Sequence, residues 1–130
     1  MYAILDVVCP LLPAEKPRYL MGVGKVHQLR DTVAKGIDMF DCVLPMREAR
    51  HGKIFLQDGG AFDVRNSEYR NDHSPIDPDS PSALSRGHRK SYLSYLFRAK
   101  ERSAETIACM QNLGVTLEAM KKLRDEIEKK

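Results

Sequence analysis

A chain of 130 residues, 42% apolar and 30% charged, falls in the ordinary globular class, with one domain as the expected number. Its formal charge of +3 is too mild to imply a nucleic-acid partner by itself, so only local clustering can argue for one. Cys9, Cys42 and Cys109 are far apart and form no CxxC or CxC pair, so neither a disulfide framework nor a cysteine-built metal site can be read from them.

Nothing approaches the roughly 18 consecutive apolar residues of a membrane span. The N-terminal apolar run is interrupted by Asp6 and has no basic leader, so neither export nor membrane insertion is expected, and the reducing cytoplasm is the default.

Tyr2 to Leu12 is apolar and ends at Pro13, which fits the tail of a helix followed by a turn. Arg18 to Gly24 is a short apolar run between Pro17 and two glycines, the pattern of a buried strand opening into a loop. Val26, Leu29, Val33 and Ile37 recur at helical spacing, and Gly36 helps to stop that helix. Met39 to Pro45 again reads as a buried strand, ended by proline. Strand, helix and strand with short links make a βαβ unit with parallel strands. Such strands, buried on both faces, imply a larger sheet or barrel than two strands supply.

Beyond Pro45, Lys53 to Gln57 and Ala61 to Asn66 flank Asp58-Gly59-Gly60 and read as an antiparallel hairpin. Ser74 to Ser85 carries three prolines among serines and aspartates, a loop whose shape must be held by something else. Two helices are expected to follow, about Ser91 to Cys109 and about Leu113 to Lys130, the second with Leu113, Leu117, Met120, Leu123 and Ile127 on one side. Arg86, His88, Arg89, Lys90, Arg98 and Lys100 come without an acid before Glu101, which favours a basic face.

Asp41 lies at the end of a predicted parallel strand, where α/β barrels and open sheets collect reactive groups. By position alone it serves as well to cap a loop amide. Met21 could equally be a core methionine, and Arg47 and Arg50 solvated loop arginines. His27, His51 and His73 have no ligand-like spacing.

Lys16-Pro17-Arg18-Tyr19-Leu20-Met21-Gly22-Val23-Gly24, then Gly36-Ile37-Asp38-Met39-Phe40-Asp41-Cys42-Val43-Leu44-Pro45-Met46-Arg47 and Ala49-Arg50-His51-Gly52 resemble the signature of the tRNA-guanine transglycosylases, or queuine tRNA-ribosyltransferases. The likeness continues through Val64-Arg65-Asn66, Pro75-Ile76-Asp77-Pro78 and Tyr92-Leu93 to the closing helix, so the chain resembles the C-terminal third of that family. The resemblance implies a (β/α)8 barrel with an inserted zinc-binding subdomain, and exchange of guanine 34 in the anticodon of certain tRNAs for a 7-deazaguanine base, prequeuine or queuine. It implies that Asp41 is the nucleophile that captures C1′ of the ribose covalently, that Met21 and Gly22 edge the base pocket, and that Arg47 and Arg50 contact the tRNA near the anticodon.

The chain departs from that pattern in two ways. Where the family carries Cys-x-Cys-x-x-Cys and a later histidine, this sequence has Ser80, Ser82, Ser85 and Gln111. Hydroxyls are poor substitutes for thiolates around Zn²⁺, so no zinc or other cofactor is expected, and Ser74 to Gln111 should lack much of the metal's stabilisation. His88 and Cys109 cannot complete a set of four alone. Second, the likeness begins with the last two barrel strands, without the acid/base aspartate and most base-recognition residues of the earlier ones.

The expected architecture is therefore α/β, a partial TIM barrel: the last βαβ part of the barrel over 1–52, the hairpin and degenerate zinc-subdomain loop over 53–90, and C-terminal helices over 91–130. The expected function is tRNA-guanine transglycosylase-like, inactive as an isolated chain, with tRNA, a homodimer mate or the missing barrel part as partners. The alternatives are a non-catalytic tRNA-binding or assembly module, or a remnant fragment.

Overall fold

Short strands alternate with helices in this chain, whose computed structural model describes residues 1–129. Two compact units are present, Met1–Leu44 and Pro45–Lys130. Among the described residues no helix is long and apolar enough to cross a membrane.

In the first unit, α1 (Tyr2–Val8) runs into a 3₁₀ turn at Cys9–Leu11, where Pro10 removes an N–H that a helix start leaves unpaired anyway. β1 (Tyr19–Met21), α2 (Val26–Val33) and β2 (Met39–Asp41) then form the expected βαβ unit. The two strands pair in parallel, with Tyr19 opposite Met39, Leu20 opposite Phe40 and Met21 opposite Asp41. Helix α2 ends at Val33, earlier than its apolar spacing predicts. The chain turns through Gly36 at φ +91°, a conformation that favours glycine, and Ile37 leaves the helix to enter the core with Leu5 and Cys9.

Side chains alternate across a strand. Leu20 and Phe40 therefore share one face, packed on Leu5, Cys9 and Ile37. Tyr19, Met21, Met39 and Asp41 share the other and are exposed, Met21 at 71%. The expectation of strands buried on both faces is thus corrected: one face is covered, and the other is open. Arg18 fastens the unit at its edge. Its N–H donates to Asp38 Oδ2 at 2.7 Å, and its guanidinium donates to the carbonyls of Leu12 and Gly36.

In the second unit Pro45 does not close a strand. It occupies the first turn of α3 (Leu44–Arg50), a position its fixed φ suits. β3 (Lys53–Phe55) and β4 (Ala61–Asp63) form the predicted antiparallel hairpin, turning at Gly59 with φ +94°. The proline-rich segment is held by a backbone bridge between Pro75 and Arg89 and by Ile76 N–H donating to the His88 carbonyl. Its end is already helical, since α4 spans Ala83–Gly87.

The closing helices are α5 (Lys90–Arg98) and α6 (Arg102–Glu128), so the break falls at 99–101 rather than at 110–112. Glu101 N–H bonds back to the Leu96 carbonyl and Lys100 N–H to the Phe97 carbonyl, the two bonds of a Schellman stop. The left-handed residue of that stop is Lys100, at φ +57°. A lysine there, where glycine is usual, hid the stop from a reading by residue type. The buried face of α6 also differs from the predicted stripe. Ala104, Ile107, Ala108, Gln111, Asn112, Val115 and Leu123 are buried, whereas Leu113, Leu117 and Ile127 are exposed. One core, including Ala49, Ile54, Val64, Ile76, Leu93, Leu96 and Ile107, joins α3, the hairpin and the closing helices.

Candidate functional site

At the C-terminal end of β2 the Asp41 carboxylate stands on the open face of the sheet, exposed. Its Oδ1 accepts the Tyr19 hydroxyl at 2.7 Å and, more weakly, the Gly22 N–H at 3.4 Å. The same Gly22 N–H donates to the Asp41 carbonyl at 2.9 Å. The parallel register allows this arrangement, because Tyr19 and Asp41 project from one face, two residue pairs apart. The bond to the carboxylate, with smaller contributions from burial and from the charge itself, raises the Tyr19 pKa above its ordinary 10.0. Tyr19 therefore stays a donor through the neutral range, and Oδ2 carries neither of these bonds.

Met21 and Gly22 border the carboxylate. Gly22 sits at φ +74°, and a Cβ built there meets nothing within 4 Å, so the backbone is open to a flat group. Behind it Gly24 cannot carry a side chain, since a Cβ would lie 2.6 Å from Cys42 Cβ. Cys42 in turn donates its thiol to the Gly22 carbonyl at 3.6 Å and accepts the Leu44 N–H at 3.4 Å. Glycine and a small side chain at these places keep the two strand ends close. Tyr19 is the site residue that sequence reasoning passed over. The signal was available: in parallel strands of this register, the residue two before Met21 shares its face.

Arg47 and Arg50 belong to the other unit, on the last turn of α3, both exposed. His51 bonds locally, Nδ1 to the Arg47 carbonyl at 2.7 Å. The basic stretch is less free than its composition suggests. Arg86 and Arg89 donate to the carbonyls of Ser80 and His73. Lys90 lies 3.5 Å from Asp72 and 5.4 Å from the centre of the Phe62 ring. The basic stretch thus includes cations partly engaged in holding loops.

Ser80, Ser82, Ser85 and Gln111 are all buried. Ser80 Oγ donates to Gln111 Oε1 at 2.5 Å and accepts the Ser82 N–H at 2.9 Å, while the hydroxyls of Ser82 and Ser85 have no partner. Three neutral hydroxyls and an amide, with the amide already saturated, do not fit a zinc ion, which favours thiolate and imidazole.

The family model for queuine tRNA-ribosyltransferase matches residues 1–130. The chain belongs to that family. The queuine tRNA-ribosyltransferase of Aquifex aeolicus strain VF5 is 45% identical over 130 residues, which is all of this chain and 34% of the relative. The proteins of the same name from Haemophilus influenzae strain PittEE and Pasteurella multocida strain Pm70 are 43% and 44% identical over 128 residues, 98% of this chain and 33% of each relative. The chain thus spans about a third of the length of these queuine tRNA-ribosyltransferases.

Proposed function

We propose that this chain is the nucleophile-bearing part of a tRNA-guanine transglycosylase of the cytoplasm, acting in queuosine biosynthesis by exchanging guanine 34 of tRNA for a 7-deazaguanine. The observation that supports this most is the open sheet face, which carries Asp41 beside Met21 and Gly22, with Tyr19 bonded to one carboxylate oxygen. In a closed (β/α)8 barrel that face would line the interior, at the strand ends where such barrels hold their chemistry.

Asp41 Oδ2 would attack C1′ of the ribose as the C1′–N9 bond breaks. Guanine leaves with that electron pair on N9 and is protonated by an acid supplied from the strands this chain lacks. The deazaguanine then attacks C1′ through its own ring nitrogen and loses its proton to the same group. The C1′–Oδ2 bond breaks, and two displacements leave the configuration retained. Tyr19 holds Oδ1 and so aims Oδ2, Met21 and Gly22 border the base, and Arg47 and Arg50 take tRNA phosphates.

Acting alone the chain is inactive, because nucleophile, proton donor and pocket work only in joint geometry. Its partners are tRNA and either a polypeptide carrying the remaining strands or a homodimer mate. Labelled guanine and cognate tRNA test this. The isolated chain should incorporate no label, and a mixture with a polypeptide carrying the earlier strands should do so, unless Asp41 is alanine. Exchange by the chain alone would overturn the inactivity. Salt-sensitive tRNA binding, with no exchange even in the mixture, would assign a non-catalytic binding module instead.

A further inference from the structure

β3 uses its two sides differently. Leu56 donates its N–H to the Gly60 carbonyl and the Gly52 carbonyl accepts from Val64, so residues 52 and 56 bond toward β4. Lys53 and Phe55 turn their backbone groups the other way, where no strand follows among the described residues. There α6 meets them with two successive, fully buried side chains. Phe55 N–H donates to Asn112 Oδ1 at 2.8 Å, and its carbonyl accepts from Gln111 Nε2 at 2.7 Å. The Lys53 carbonyl accepts from Asn112 Nδ2 at 2.8 Å, and the same nitrogen donates to the Pro45 carbonyl at 3.0 Å. A primary amide offers the donor and acceptor of a peptide group, so these two side chains stand in for a missing strand.

Gln111 extends the connection. Its Nε2 also donates to Asp77 Oδ2 at 2.8 Å, and its Oε1 takes the Ser80 hydroxyl. Asp77 further accepts the N–H groups of Gln57 at 2.9 Å and Asp79 at 3.1 Å. Both amide hydrogens and the carbonyl of Gln111 are therefore used, which is what a buried amide requires. β3 and its turn, the segment 77–82 and the middle of α6 are joined through one side chain.

We propose that Gln111, with Asp77, Ser80 and Asn112, forms a metal-independent clamp that ties the proline-rich loop to α6 in place of a bound zinc ion. Removing the metal's thiolates would otherwise leave loop and helix joined only by packing. The clamp replaces coordination by hydrogen bonds at two of the four ligand positions, Ser80 and Gln111, joined by Asp77 and Asn112, and it does not depend on Asp41. The hydroxyls of Ser82 and Ser85 take no part in it.

Metal analysis and thermal melting of the full chain test the clamp. The chain should hold no stoichiometric zinc, and its midpoint should be the same in buffer, in EDTA and in zinc chloride. Gln111→Ala should lower the midpoint by roughly 5–10 °C, since it leaves the Phe55 carbonyl without this donor and the Ser80 hydroxyl without its acceptor, and takes from Asp77 Oδ2 one of its two bonds. Should that variant fail to fold, Ser80→Ala removes one partner of the set and should lower it by about 2–4 °C. Stoichiometric zinc with a midpoint that EDTA depresses, a cooperative transition seen only with added zinc, or a Ser80→Ala chain as stable as the parent would each overturn the proposal.

Discussion

The open face of β1 and β2 and the buried cluster around Gln111 handle polar groups in opposite ways. On the sheet, Asp41 keeps one oxygen uncommitted and stands in the open beside exposed methionines. At Gln111 every amide atom is bonded, and the side chain is fully buried. A group meant to react must be left partly unsatisfied, and a group meant to hold elements together must not. On the proposed reading the first unit presents a reactive carboxylate that further strands would have to enclose, whereas in the second the Gln111 amide is fully bonded.

That contrast can be broken most severely at Asp41. In the mixture with the missing strands, Asp41→Ala should lower base exchange by more than roughly 1000-fold and abolish RNA trapped covalently on denaturing gels, while leaving the thermal midpoint unchanged. Leu93→Ala acts on the other region: Leu93 is fully buried in the core of the second unit, and truncation should cost about 3 kcal/mol in a denaturant titration. Tyr19→Phe sharpens the contrast, because it removes only the bond that fixes Oδ1. Exchange should fall by roughly 10-fold, with the loss in kcat rather than KM.

The smallest effect belongs to Asp63. Hydrogen bonds from Arg65 lower its carboxyl pKa below the ordinary 3.8. The stabilisation is therefore present above pH 3.8 and is lost as pH falls through the lower folded value. The pair is partly exposed, so Asp63→Asn should remove less than about 1 kcal/mol at neutral pH and flatten the acid limb of the stability curve.

Much of this was legible in the residues. The βαβ unit, the hairpin and the strand-end position of Asp41 follow from apolar spacing and glycine placement, because those signals are local. The helix break at Lys100 was not, since the residue type there argues against the conformation it adopts. The buried stripe of α6 was misassigned for a related reason. Leucines suggested one face, but the helix buries the face with Gln111 and Asn112, whose partners lie more than 50 residues away in β3 and leave no trace in local periodicity. The open face of the sheet was missed because an apolar run reads alike whether or not its neighbours are present.

Edge cover has a practical consequence. The outer side of β3 is occupied by side-chain amides and cannot recruit a foreign strand, whereas β1 and β2 pair only with each other among the described residues. Self-association at high concentration should therefore start from the first unit, by intermolecular strand pairing beside Met21 and Met39, and a lysine placed at either methionine should raise the solubility limit.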